Sequence, residues 1–516
     1  MSNPNPPDSG QDAAKPDARA PLWFLCLAIV ALAGYGAFLA SQTSIYAAGA
    51  DSSGYLNSAR LLAAGRLQTD LRTPPEFGPQ AELLRPQFQP HGFVPFPGNP
   101  RLSPTYAVGL PLHLALAGRI LGWRTGPLAV IVLAALGALV LCYAVARELG
   151  LHRWPAAAAT VALAAYPVFI FTSIQPLSDT LATTWCLAAV FAALRARRHA
   201  GWAAACGVAL ALAVLVRVTD IVLLPALVVL LGLDGRRLAL AALGGLPGAL
   251  WLAYYQHALY GSALQSGYVN ISETFGVAYG LPTVVHFVKW LALFLPAVLL
   301  VLPFVAAARR DTRTRELLAL ALWFGAIAGV YSFYVISHEV WWCLRFILPG
   351  TPALILAGLL GAEALARSLE EKSRRFFCRA AVPVLMAWAA GGGWFWTTRL
   401  NLLLTKGYEQ AYADAATAAS TRFPPGALVV CSQLSGALYY YTDFPVLRWD
   451  FVNGGEFARF CALTRESGRP VCAVLFASEE HDALQEHCAG EWTRLGTVKN
   501  IALWRLTGAP RSGPKQ

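Results

Sequence analysis

Four charged residues, Asp51, Asp179, Arg217 and Arg345, stand where apolar runs begin or end. Asp51 follows the first run, in "AAGADSSGYLNSARLLAAG" (48–66), and Asp179 opens a later one, in "TSIQPLSDTLATT". Arg217 divides two runs in "AVLVRVTDIVLLP", and Arg345 begins another in "SHEVWWCLRFILPGTPALIL". Arginine offers a rigid fork of donors that matches phosphate oxygens and neutralises a departing phosphate. A carboxylate takes the proton from an attacking hydroxyl. Together the two residue types suit transfer of a group from a phosphate-linked lipid. The apolar spacing after Asp51 predicts a short amphipathic helix carrying Tyr55, lying at headgroup level where a lipid donor and an acceptor meet. Each residue also has a packing role open to it. Asp51 can mark a membrane exit, Asp179 can cap a helix, and the two arginines can snorkel from helix ends. His338 and Glu339, beside Trp341 and Trp342, read equally as part of an interfacial aromatic belt or as a sugar platform.

The elements that must position these residues are membrane helices. Of the 516 residues, 56% are hydrophobic and only 13% charged, about half the charged fraction of a soluble protein. Apolar runs fall at about 21–42, 125–146, 155–172, 177–194, 201–217, 219–233, 238–258, 286–307, 317–335, 346–366 and 380–398, so about eleven spans are expected. The net charge of +11 does not imply nucleic acid, because the basic residues cluster in alternate connections. The clusters are Arg147 and Arg153; Arg195, Arg197 and Arg198; Arg236 and Arg237; Arg309, Arg310, Arg313 and Arg315; and Arg367 to Arg379. This is the positive-inside pattern. It places the N-terminus in the cytoplasm, and it demotes the stretch 104–122 to a juxtamembrane or re-entrant helix, because counting it as a span would invert every later loop. Residues 1–20 read as a disordered tail and 44–124 as a long external loop. The first run lacks an A-x-A cleavage site and reads as a retained signal-anchor.

Residues 401–516 read as a separate external domain. The runs "GALVVCS", "RPVCAVLFA", "EWTRLGTV" and "NIALWRL" have strand character, and "GALYYYT" and "EEHDALQEHC" between them are helix-like, which predicts a small α/β fold. Cys343, Cys431, Cys461, Cys472 and Cys488 fall on the expected oxidising side, where disulfides persist, with at least one left unpaired. No nucleotide-binding loop, HExxH or CxxC motif occurs, and no internal repeat of the kind built into many transporters is visible.

In order along the chain, "GADSSGYLNSARLLAAGRL", "SPTYAVGLPLHLALAGRILGW", "TSIQPLSDTLATT" and "WWCLRFILPGTPALIL" resemble the GT-C superfamily of polyprenyl-phosphate-sugar glycosyltransferases. The nearest likeness is to bacterial members related to protein mannosyltransferases, lipid A aminoarabinose transferases and rhizobial lipopolysaccharide-core transferases, over roughly residues 21–400. The resemblance implies an α-helical polytopic fold. It implies that Asp51 matches a first-loop aspartate that activates the acceptor or orients the reaction, and that Asp179 matches a second acidic position serving the acceptor or, in some members, a metal. Arg217 matches a basic position, often Lys, that meets the donor phosphate, and Arg345 a late-loop basic residue of similar role. The pattern departs at Ser52, where many members carry Glu.

The resulting expectation is a bacterial inner-membrane glycosyltransferase with the C-terminus in the periplasm, working with inversion at the sugar carbon. Its partners would be a polyprenyl-phosphate-sugar donor, a glycan, lipid or protein acceptor, and membrane lipids, with no nucleic acid. No cofactor is assigned and no metal is committed. Rival readings are a transporter or flippase of lipid-linked sugars, a non-catalytic assembly protein, and a protein O-mannosyltransferase-like enzyme.

Overall fold

The computed structural model describes residues 21–82, 85–96, 99–268, 271–308 and 313–508. The polar tail 1–20, and Arg309 and Arg310 of one basic cluster, lie outside them. Helix α1 (Leu22–Gln42) is apolar all round, and Leu22, Trp23, Leu25, Leu27, Ile29 and Val30 face outward, as expected of a helix set in lipid. Helix α2 (Asp51–Ala63) follows, with Ser52 through Ala59 buried. A 3-10 segment (Pro75–Glu82), the single turn α3 (Arg85–Phe88) and the antiparallel hairpin of β1 (Phe93–Phe96) and β2 (Asn99–Pro104) complete the loop.

Helix α4 (Gly109–Glu148) is two rods joined at Gly122, whose φ of 81° is left-handed. The first rod, 109–121, is about 20 Å long at 1.5 Å per residue, too short to cross a hydrocarbon core of about 30 Å. It exposes Leu116, Ile120 and Leu121. Then come α5 (Arg153–Ala164), α6 (Pro167–Thr172), α7 (Ser178–Ala196), α8 (Trp202–Val216), α9 (Leu224–Leu231) and α10 (Gly235–Tyr260). Helices α8 and α10 cross so closely that a Cβ on Gly207 would collide with the Ala241 carbonyl oxygen, the small-residue packing typical of membrane bundles. After α11 (Ile271–Thr274) come α12 (Gly280–Phe294), α13 (Val298–Ala308), α14 (Thr314–Ser332), a 3-10 segment (Trp341–Gly350), α15 (Thr351–Arg367) and α16 (Glu371–Arg399).

Six helical segments among the described residues are long and apolar enough to cross a membrane. Of the other apolar runs, 177–194 and 380–398 are continuous helices, α7 and part of α16, and 201–217 forms the 15-residue helix α8. Run 155–172 splits before Pro167, 286–307 splits at Leu295–Ala297, and 219–233 opens as a 3-10 turn (Val218–Leu223). Proline removes a donor and disfavours helix in the residue before it, which accounts for the first two breaks.

The C-terminal part packs α17 (Thr405–Arg422), β3 (Leu428–Cys431), α18 (Ser435–Tyr441), β4 (Val446–Arg448), α19 (Gly454–Glu466), β5 (Val471–Phe476), β6 (Trp492–Val498) and β7 (Ile501–Leu506). The sheet order is β4-β3-β5-β7-β6, parallel among the first three and antiparallel thereafter. The four apolar runs fall on β3, β5, β6 and β7. The short strand β4 had no expectation attached to it, and "EEHDALQEHC" forms a π-helical turn at Asp482–His487. The nine described cysteines are free thiols, Cys343, Cys431, Cys461, Cys472 and Cys488 among them. Cys431 and Cys472 are instead buried as small apolar residues in the core on one face of the sheet.

Candidate active site

Asp51 is the first residue of α2, where the helix dipole favours negative charge. Asp179 lies in the first turn of α7 but makes no cap bond; its carboxylate turns toward arginine. Arg217 sits at the break after α8, in extended backbone at φ −145° and ψ 110°, which frees its side chain from the helix surface. Arg345 comes from the 3-10 segment before α15. The four meet. Arg345 Nη2 lies 2.6 Å from Asp51 Oδ2, and its Nη1 lies 3.9 Å from Asp179 Oδ2. Arg217 pairs with the other oxygen of Asp179 through Nη1. Arg217 Nη2 also donates to the Tyr331 hydroxyl at 2.7 Å, and Nη1 to the Arg345 carbonyl at 3.3 Å. The result is an alternating chain, Asp51–Arg345–Asp179–Arg217, in which every charge has an opposite neighbour.

The two arginines differ in what they leave free. Arg217 is only 9% exposed and is held by Asp179, Tyr331 and a backbone carbonyl, so it is not snorkelling. Arg345 is flanked by the rings of Trp342 and Phe346, each 5.2 Å from its guanidinium carbon. Its Nε is buried and without a hydrogen-bond partner among the described residues. A buried donor left open costs free energy, so this nitrogen is available to an acceptor.

Tyrosines enclose Asp51. Tyr106 donates a hydrogen bond to its carboxylate. The Tyr55 ring lies 4.9 Å from Tyr106, and the Tyr55 hydroxyl donates to Ser178 Oγ at 3.0 Å. Burial works against an ionised Asp51, but the Arg345 charge and the hydrogen bonds outweigh it and hold the carboxyl below its usual range. His338 and Glu339 stand apart. His338 stacks on Tyr279 with ring centres 5.9 Å apart, Glu339 is exposed, and neither bonds to the four charged residues.

The C-terminal domain closes over α2. Asn57 Nδ2 donates to the Gly436 carbonyl at 3.0 Å, and Arg60 donates to the Tyr440 carbonyl at 2.9 Å while covering the Tyr440 ring. Arg72 donates to the Tyr439 and Thr442 carbonyls. A Cβ on Gly436 would overlap Ser53 Oγ, and Gly54 and Gly92 touch backbone to backbone. The loop carrying His91 is pinned in this joint, its backbone N–H donating to Ser435 Oγ at 3.1 Å. Burial, then the nearby Arg448, depress the His91 pKa to about 4.

Sequence reasoning did not single out Tyr106, Tyr331, Ser178, His91 or Asp220. Asp220, buried with one carboxylate oxygen unpartnered, stands three residues beyond Arg217 in the quoted run; an acid inside an apolar stretch was the available clue. A divalent cation on Asp51 and Asp179 would have to displace Arg345, so the donors as folded match a guanidinium rather than a metal. The one His/Cys/Asp/Glu cluster of metal-binding spacing among the described residues, His481, Asp482 and Glu486, is exposed on the C-terminal domain.

The family model described as dolichyl-phosphate-mannose-protein mannosyltransferase matches residues 110–257. No curated protein matches the sequence. Among solved structures, ArnT from Cupriavidus metallidurans bound to undecaprenyl phosphate is similar at 16% identity, over 96% of this chain and 100% of that one, with a TM-score of 0.57. The oligosaccharyltransferase of Archaeoglobus fulgidus in the apo form is similar at 13% identity, over 89% of this chain and 70% of that one, also at 0.57. The same archaeal enzyme, AglB, in complex with an inhibitory peptide and a dolichol-phosphate gives the same values. The chain shares its overall fold with these solved structures.

Proposed function

We propose that the protein moves a sugar from a polyprenyl-phosphate-linked donor to a cell-envelope glycan or lipid on the external face of the bacterial inner membrane. The observation that carries this reading is the Asp51–Arg345 ion pair at 2.6 Å, a carboxylate and a phosphate-binding fork held together at the mouth of the bundle. The undecaprenyl phosphate in the ArnT structure supports the donor class.

The chemistry follows from the pair. In the free protein Arg345 and Asp51 neutralise one another. The donor phosphate binds the Arg345 fork and its open Nε, and so draws the guanidinium away from Asp51. Released from that charge, Asp51 becomes the stronger base. The acceptor hydroxyl attacks the sugar carbon opposite the phosphate. The carbon–oxygen bond to phosphate breaks, its electron pair leaves on the phosphate, and the hydroxyl proton passes to Asp51. The sugar carbon is inverted. Arg217 and Asp179 keep Arg345 in place from behind, and Tyr106 and Tyr55 orient Asp51.

The test is transfer in proteoliposomes supplied with undecaprenyl-phosphate-linked hexoses and pentoses and an envelope lipid extract. Asp51→Asn keeps the shape but cannot take a proton, and transfer should fall by about 10²–10⁴-fold with folding unchanged. Equal transfer by the variant and wild type removes Asp51 from the chemistry. Absence of transfer by wild type favours a carrier of lipid-linked sugars.

A further inference from the structure

One carboxylate near the site has no part in the chain of ion pairs. Glu409 lies on α17 of the C-terminal domain, one turn into the helix that leads away from the bundle. It reaches back to the start of α2. Ser52 Oγ donates to Glu409 Oε1 at 3.5 Å, Ser44 also hydrogen-bonds the carboxylate, and Asp51 is near enough to repel it. Its other oxygen, Oε2, is buried and without a partner among the described residues. No described cation pairs with it. Lys406, on the same helix, donates instead to the Ser41 carbonyl at 2.9 Å. The groups facing Glu409 are therefore Ser44, Ser52 and Asp51 from the bundle side and Tyr412 on its own helix, and none is positive.

A half-buried acid with one oxygen buried and unpartnered, beside a second acid and no cation, weakens the fold. We propose that Glu409 is the acceptor-side carboxylate of the reaction site, taking a hydrogen bond from the attacking group of the acceptor and aligning it for proton transfer to Asp51. This rests on the transferase reading above. It assigns the C-terminal domain a direct role, since without α17 the acceptor group meets Asp51 alone. Burial and the neighbouring Asp51 raise the Glu409 pKa to about 7, whereas Arg345 holds Asp51 ionised. Glu409 therefore changes charge near pH 7, and only its ionised form offers Oε2 as a charged acceptor to the attacking group. Its native form binds a proton more readily than an unfolded glutamate does. Ionised Glu409 thus lowers stability as pH rises from about 4.5 to about 7, and the full cost remains above that.

The experiment compares wild type and Glu409→Gln in proteoliposomes from pH 5.5 to 8.5, with undecaprenyl-phosphate-linked sugars as donors. Melting and undecaprenyl phosphate binding are measured on the same proteins. Wild-type transfer should rise through about pH 7. The variant should lose that rise and transfer about ten- to a hundredfold less at pH 8, yet melt higher than wild type there and bind undecaprenyl phosphate equally. Transfer by the variant at the wild-type rate with the same pH profile overturns the proposal. So does a variant that melts lower than wild type at every pH, the mark of a purely structural role. No transfer by wild type at any pH overturns the transferase reading, and this proposal with it, whereas an unaltered variant beside an active wild type overturns this proposal alone.

Discussion

The pairing of Arg217 with Asp179 is the most exposed to a quantitative test. Their side chains are 9% and 4% exposed, so removing Asp179 leaves Arg217 buried without a paired carboxylate among the described residues, and removing Arg217 leaves Asp179 only the longer 3.9 Å contact to Arg345. Breaking a buried pair in that way costs about 3–5 kcal/mol. Arg217→Ala also abandons the bonds to Tyr331 and the Arg345 carbonyl, each about 0.5–1.5 kcal/mol. The double variant Arg217→Ala/Asp179→Ala leaves neither charge stranded, so its cost should stay close to that of the worse single change, not the sum of the two. For a chain of this length 1 kcal/mol corresponds to about 1–2 °C of melting temperature, extending the size scaling of smaller domains. Each single variant should therefore melt about 5 °C lower in detergent, followed by fluorescence-detected gel filtration. Arg217→Lys should fall between wild type and Ala, since an ammonium satisfies Asp179 but cannot also reach Tyr331. Single variants that melt within a degree of wild type, or losses that simply add, would refute the reasoning.

Gly54→Ala forces a methyl group against Gly92 and the Tyr106 ring; transfer should fall at least tenfold, about 1.4 kcal/mol of barrier, through displacement of Tyr106 from Asp51, and the same liposome assay reads it. His91 is held neutral, with its pKa depressed to about 4, so its contribution to stability is present above about pH 6.5 and is lost as pH falls through 4. Melting temperatures at pH 7 and pH 4.5 should therefore differ less in His91→Gln than in wild type.

Much of this arrangement could be read from residue types. Apolar runs and clustered arginines mark a membrane bundle without any tertiary information, because lipid enforces both patterns on the chain itself. The same rules picked out Asp51, Asp179, Arg217 and Arg345, since charges at the edges of apolar runs are costly and few. Their order of pairing was not legible. Whether Arg345 reaches Asp51 or Asp179 depends on where a 3-10 segment leaves the bundle, and that is a matter of packing. Glu409 was beyond reach for a related reason. It lies in "TKGYEQAYADAATAAS", a stretch with the look of an ordinary solvated helix, and only the docking of α17 against Ser44 and Ser52 buries its carboxylate. The run 155–172 shows the converse limit. Hydropathy averages over Pro167 and so reports one span where the backbone makes two pieces.

The joint between the C-terminal domain and α2 also bears on biogenesis. Asp51 leaves the ribosome early, whereas Arg345 and α17 are made late and α18 later still, yet Asn57, Arg60 and Arg72 donate their hydrogen bonds to α18 and the loop after it. An unfinished chain can thus insert its first helices while Asp51 still lacks the Arg345 cation and the covering C-terminal domain. Under the proposed transfer, newly made or truncated molecules would be inactive, and a lipid-linked sugar would not be lost to water before the last domain has closed.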